Sequence, residues 1–330
     1  MISEKCAEVK LQALLDHTVR NIFKSVDKLD LPDFNNKTIT LFSKWGCDGT
    51  TGQAQYKQKF NTIDQTEDKD IFLTSFVPIT VYTQPNNNPE LKEIVWKNPR
   101  TSSTKYCRPI RLHFQKETTE FIKKERAYIS EQIQNLESTI IIFENGTTVK
   151  VKHELMMTMV DGKVCNAISE NHSAQKCYVC GAGPKDMNQI DLAKQRPVNK
   201  KTFEFGLSTL HAWIRFFECL IHVAYRLEFK KWQAKGDNKV ILKEKKKVIQ
   251  SRFREEMGLL VDMPRSDGSG TSNDGNTARR FFSSPDLSSS ITGIEKEIIV
   301  RFGVILQVIS SGNQIRGNFF YIYLCNLIIL

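Results

Sequence analysis

The sequence predicts a mixed α/β (α+β) fold, and three observations carry it. β-like runs open the first half, a helix and an Asn-Gly hairpin follow, and long apolar helical periodicities fill the second half. Strands interleaved with a helix in this order point to a mixed sheet and not to an all-β sandwich. With 330 residues, 40% apolar, and 20 Phe, the chain can build a core and has room for two modest domains or one domain with a large insertion.

Residues 5–29 carry Val9, Leu11, Leu14, Leu15, Val19, Ile22, Phe23 and Val26 at helical spacing, so an amphipathic helix is expected. Pro32 and Asn35-Asn36 break it. TITLFSKWGC, from Thr38, is β-like and leads into KWGCDGTTG; IFLTSFVPITVYT (71–83) is a second strand, closed by QPNNNP. LKEIVWKNP and YCRPIRLHFQ are shorter β-like pieces. Residues 117–137 set Phe121, Ile122, Ile129, Ile133 and Leu136 on one helical face. STIIIF and TTVKVKHELMMTM then flank Glu144-Asn145-Gly146, and Asn-Gly between β-rich runs is a strong hairpin signal.

Beyond residue 166 the character changes. Residues 202–233 predict a long apolar helix, 238–260 a basic one, and 262–279, rich in Gly, Ser, Asn and Asp, a linker. A last helix is expected over 290–310. The resulting organisation is an N-terminal helical segment (1–37), a core (38–165), a helical insertion with a Cys pair (166–261), a flexible linker (262–289), and a C-terminal helix with an apolar tail (290–330).

The charge of +10 and pI near 9.1 favour a polyanionic partner. MISEKCAEVKLQALL carries mixed charge without a continuous apolar stretch, which speaks against a secretory signal. The tail Asn318–Leu330 is apolar but shorter than a bilayer span, so no membrane partner is expected. Of the eight cysteines only Cys177 and Cys180 are close, and in a reducing compartment such a pair points to metal before disulfide.

Asp48 and Asp161 share a local context: each ends a β-like run and precedes Gly. Carboxylates on strand ends are what a two-metal phosphoryl-transfer site requires. Asp-Gly is also a common turn, and spacing alone favours two turns. Cys177-x-x-Cys180 is half of a tetrahedral zinc site by spacing; zinc and simple thiols fit it equally. Cys165 and His172 lie near without standard spacing. His211 and His222 sit in an apolar helix, where a hydrogen-bonded structural histidine is the economical reading. Lys243, Lys245, Lys246 and Lys247 could bind DNA phosphates, against the plainer reading of a solvated helix face.

Taken in order, KWGCDGTTG, NPRTSSTKYCRPI, HELMMTMVDGKVCNA, CYVCGAGPKDMN, GLSTLHAWIRFFE, MGLLVDMP and NDGNTARRFF resemble the catalytic core of the recombination-activating (RAG) recombinase large subunit and the related Transib-type transposases. The resemblance runs from about residue 40 to about residue 285. It implies an RNase H-like DDE core interrupted by a helical, zinc-bearing insertion. Asp48 and Asp161 match the first two catalytic aspartates, with Mg²⁺ or Mn²⁺ as cofactor, and Cys177 and Cys180 match the zinc pair. Double-stranded DNA as substrate, a homodimer, an accessory subunit and a nuclear location are implied with it. The family's third carboxylate, a Glu on a downstream helix, has no counterpart in this sequence, nor do the two histidines that complete its zinc site. The pattern is lost near residue 312, so the expectation is a C-terminally truncated product with little or no strand-transfer activity.

Overall fold

The computed structural model describes residues 2–3, 5–26, 34, 37–51, 70–88, 90–144, 146–171, 173, 175–187, 189, 191–192, 195–205, 208–229, 236–264 and 271–311. The chain divides into two compact units, Met1–Gly206 and Leu207–Leu330. The first is a mixed α/β unit built on a curled sheet, and the second is helical.

In the first unit seven strands form one sheet: β1 (Cys6–Glu8), β2 (Lys37–Thr51), β3 (Asp70–Pro85), β4 (Glu93–Lys97), β5 (Arg108–Phe114), β6 (Thr139–Ile142) and β7 (Thr148–Met157). The order is β1-β5-β3-β2-β7-β6, with β4 on β3. Neighbours pair antiparallel except β2 and β7, which run parallel from Ile39↔Val151 to Trp45↔Met157. Helices α1 (Leu11–Ser25) and α2 (Thr119–Gln134) join the strands in one core, in which Leu11, Leu15, Leu41, Phe72, Phe76, Ile122 and Ile129 are fully buried or nearly so. Each such side chain contributes about 1.5–3 kcal/mol of burial. Burial alternates along β6 and β7, with Val149, Val151 and Ile141 inside and Ile140 and Ile142 exposed, as in a sheet covered on one face. Gly146, at φ +81°, turns the β6–β7 hairpin; Asn145 lies outside the described residues.

The helix expected from residue 5 starts later, at Leu11. Cys6–Glu8 pairs with β5 instead, because Glu8 is drawn to that edge: its carboxylate accepts from Tyr128 Oη at 2.6 Å and faces Arg111 at 3.6 Å. Arg111 also binds Glu125, a fully enclosed carboxylate on α2 that accepts from Thr74 Oγ1 at 2.7 Å. Buried ionic groups are tolerated because each has partners.

After α3 (Gly162–Ile168) and α4 (Pro184–Met187) of the first unit, the second unit's α5 (Thr209–Ala224), α6 (Asp237–Met257), α7 (Gly275–Ser283), α8 (Pro285–Thr292) and α9 (Lys296–Ser310) enclose Phe217, Ile221, Phe253, Phe281 and Ile299. The single apolar helix expected over 202–233 is divided: Lys200–Phe205 forms a 3₁₀ turn in the first unit, α5 stops at Ala224, and residues 230–233 lie outside the described set. Gly258, at φ +64°, ends α6, and the Leu259 amide reaches the Phe253 carbonyl at 3.0 Å to close it. The stretch 262–289, expected as a flexible linker, carries α7 and most of α8. Asp274 caps α7 by accepting from the Thr277 amide at 2.7 Å, and Phe281 and Phe282 anchor it in the core. Polar composition suggested a linker, but Asp274 within it is a helix cap. Gly293, at φ +75°, separates α8 from α9 within the expected 290–310 helix. Among the described residues no helix is long and apolar enough to cross a membrane; the apolar tail lies outside them.

Candidate active site

Asp48 does not sit in a hairpin turn. It lies inside β2, in register with Leu73 of β3, and the pairing continues to Thr51↔Asp70. Asp161 is not in a hairpin either. It caps the short helix α3 (Gly162–Ile168), its Oδ1 accepting from the Val164 amide at 2.8 Å.

The parallel pairing of β2 and β7 sends both strands out at the same end. Past Met157, the amides of Thr158 and Met159 both donate to the Trp45 carbonyl at 3.0 Å, which holds the chain leaving β7 against β2. Two residues later comes Asp161. This approach needs a glycine beside it, since a Cβ on Gly46 would stand 1.9 Å from the Met159 oxygen.

On the other side of Asp48, Gly49 faces Glu117, which precedes α2. A Cβ on Gly49 would stand 2.6 Å from the Glu117 Cβ. The two glycines of Gly-Cys-Asp-Gly therefore admit the Asp161 segment on one side and Glu117 on the other. Glycine inside a strand is itself a mark of close backbone approach. That signal in KWGCDGTTG could have pointed to close packing on both sides of Asp48, although it could not have named Glu117.

The carboxylates act on one another. Asp48 is pushed up from 3.8 to about 6, chiefly by burial, then by the charges of Asp161 and Glu117; the Gly49 amide and Lys163 oppose this. Asp48 is nonetheless exposed at the surface, so solvent screens part of this effect. Glu117 is 9% exposed and receives Lys163 Nζ on Oε2 at 2.5 Å, while its Oε1 is buried without a hydrogen-bond partner. Cys47 beside Asp48 is buried, and burial first, then the neighbouring carboxylates, push its thiol far up, so it is no nucleophile.

These oxygens suit a hard divalent cation. Among the described residues, however, no three His, Cys, Asp or Glu side chains stand close enough to enclose an ion. Mg²⁺ is commonly held by one or two carboxylates, with water and substrate phosphate completing its shell, so Asp48 and Asp161, whose charges act on one another, are the candidate ligands.

Cys177 and Cys180 flank a tight loop: the Gly181 amide donates to the Cys177 carbonyl at 2.8 Å, the Cys177 amide to Ala182 at 2.9 Å, and Gly181 adopts φ +68°. Both thiols are free and half-buried. No third ligand stands with them among the described residues, which do not include His172. Cys165 is engaged elsewhere. It is buried, interacts with the Tyr178 hydroxyl, and has its thiol pushed up to about 11, mainly by burial.

In the second unit the basic run splits. Lys245 pairs with Glu228 at 2.6 Å and Lys246 with Asp262, whereas Lys243 and Lys247 are exposed on α6. Burial of Asp262 is outweighed by His222 and Lys246, which hold its carboxyl below the usual range. His211 meets Ser208 Oγ at 2.7 Å and His222 lies 3.9 Å from Asp262, both structural roles.

No protein-family model and no curated protein matches the chain.

Proposed function

We propose that this chain is the catalytic-core portion of a RAG-like or Transib-like DNA transposase, in which Asp48 and Asp161 hold Mg²⁺ or Mn²⁺ against a DNA phosphodiester. The observation that carries this is the exit of two adjacent parallel strands at one end, with Asp48 on one and Asp161 just beyond the other. The strand order β5-β3-β2-β7, with β3 alone reversed, supports the RNase H-like form of such a core.

When bound, the ions would activate the attacking water and stabilise the leaving oxygen. The protein's part is positional. β2 fixes Asp48 through its ladder to β3, and the α3 cap fixes one oxygen of Asp161. Glu117 adds a third negative charge beside them. It stands before α2, so it is not the downstream Glu of the family pattern. Cys177 and Cys180, which lie in the first unit after α3, supply half of a structural zinc site. Double-stranded DNA as substrate, a homodimer, an accessory subunit and a nuclear location belong to the same proposal.

The test is a Mn²⁺-binding titration of the full chain, followed by a Mn²⁺-dependent nicking assay on duplex DNA. Binding and nicking that both disappear in Asp48→Ala and in Asp161→Ala support the reading. Mn²⁺ binding unchanged in both variants overturns it. A second reading, a DNA-binding product of such an element without catalysis, is favoured by the exposure of Lys243 and Lys247. DNA binding together with metal binding, but without nicking, would select it.

A further inference from the structure

Lys163 stands two residues after Asp161, in the first turn of α3, where a positive charge runs against the helix dipole. Helix stability therefore does not account for it. Its ammonium group instead crosses to Glu117, at 2.5 Å from Oε2 and 3.4 Å from the main-chain carbonyl. The partners are unequal. The Glu117 side chain is 9% exposed and wedged over Gly49, whereas that of Lys163 is 58% exposed. The lysine can swing out at little cost; the carboxylate cannot. Glu117 also retains a buried oxygen, Oε1, without a hydrogen-bond partner, the kind of group whose desolvation a further cation would relieve.

We propose that Lys163 is a built-in counter-cation of the carboxylate site: paired with Glu117, it offsets the negative charge around Asp48 until a divalent ion binds at Asp48 and Asp161, and then turns its ammonium group to a DNA phosphate. The inference rests on the metal-binding reading of Asp48 and Asp161. The same lysine thus opposes metal binding and favours DNA binding once metal is present. That coupling is absent from a lysine that only braces a loop.

The experiment measures Mn²⁺ affinity of the full chain by the electron paramagnetic resonance of free Mn²⁺, for wild type, Lys163→Met, Lys163→Gln, Lys163→Arg, Asp48→Asn and Asp161→Asn. Removing a competing, partly exposed ion pair should tighten Mn²⁺ binding about two- to fivefold in Lys163→Met and Lys163→Gln, with Lys163→Arg near wild type. Unchanged or weaker binding in both neutral variants, with binding lost in Asp48→Asn and Asp161→Asn, overturns the role of Lys163 and leaves the site standing. Binding indifferent to both aspartates overturns the site itself. Affinity for a short duplex is then measured against salt, with Ca²⁺ and without any divalent ion. Lys163→Met should reduce the salt slope by about one with Ca²⁺, and leave it unchanged without. An equal loss in both conditions, or none in either, overturns the displacement.

Discussion

The main-chain oxygen of Met159 occupies the space where a side chain at Gly46 would begin, 1.9 Å from an ideal Cβ. That contact lets the segment carrying Asp161 lie against β2. Gly46→Ala must push a backbone aside and should cost about 1–3 kcal/mol, measured by urea unfolding, with weaker Mn²⁺ binding. Gly162→Ala is the control. Nothing lies within 4 Å of a Cβ there, so its stability should stay within about 0.5 kcal/mol of wild type.

Asp48 makes stability fall as pH rises. Its folded value is about 6 against 3.8, so between these the native chain keeps a proton that the unfolded chain has released. The destabilisation grows through that window and is complete above it. Asp48→Asn should therefore stabilise the protein near pH 8 and change little near pH 4. With one side of the carboxyl open to solvent, the gain is on the order of 1 kcal/mol. Urea midpoints at the two pH values measure it, and equal shifts at both would refute the assignment.

Glu125 ties the α2 helix to the sheet through Arg111 Nη1 at 2.5 Å and Thr74 Oγ1 at 2.7 Å. Glu125→Ala leaves the part-buried Arg111 with Glu8 as its remaining carboxylate and Thr74 without its acceptor, and should cost about 1–3 kcal/mol. Glu125→Gln keeps an acceptor for Thr74 and should cost less. Denaturant unfolding of the two variants compares charge with hydrogen bonding.

The four lysines of the basic run should separate into two classes. Lys243→Ala with Lys247→Ala should leave stability within about 0.5 kcal/mol of wild type and lower the salt slope of DNA binding by about two. Lys246→Ala leaves Asp262, 6% exposed, without its shortest contact and should cost about 1–3 kcal/mol. Fluorescence anisotropy with a labelled duplex and thermal melts read the two effects.

Much of the architecture was legible in the sequence because its signals are local. Leu11, Leu15, Val19 and Ile22 recur at one helical face and are buried together; Thr139–Ile142 and Thr148–Met157 form the hairpin that Asn-Gly announced. Where local signals are ambiguous the expectation missed. Cys6–Glu8 lies within the span expected as a helix but becomes a strand, because Tyr128 and Arg111, far along the chain, hold Glu8. The Asn-Asp-Gly of 273–275 has the composition of a linker and serves as a helix cap, because Phe281 and Phe282 behind it have a core to enter.

The same division runs through the site. By itself the sequence determined that Asp48 and Asp161 would each follow a β-like run, and that Cys177 and Cys180 would share a tight loop, since strand pattern and turn residues act over a few positions. Only the tertiary structure decided that β2 and β7 run parallel and adjacent, that Asp48 within β2 and Asp161 beyond β7 lie toward one end of the sheet, and that Glu117 and Lys163 meet. Pairing between distant strands depends on which faces bury together and how closely backbones approach, and no spacing along the chain records either.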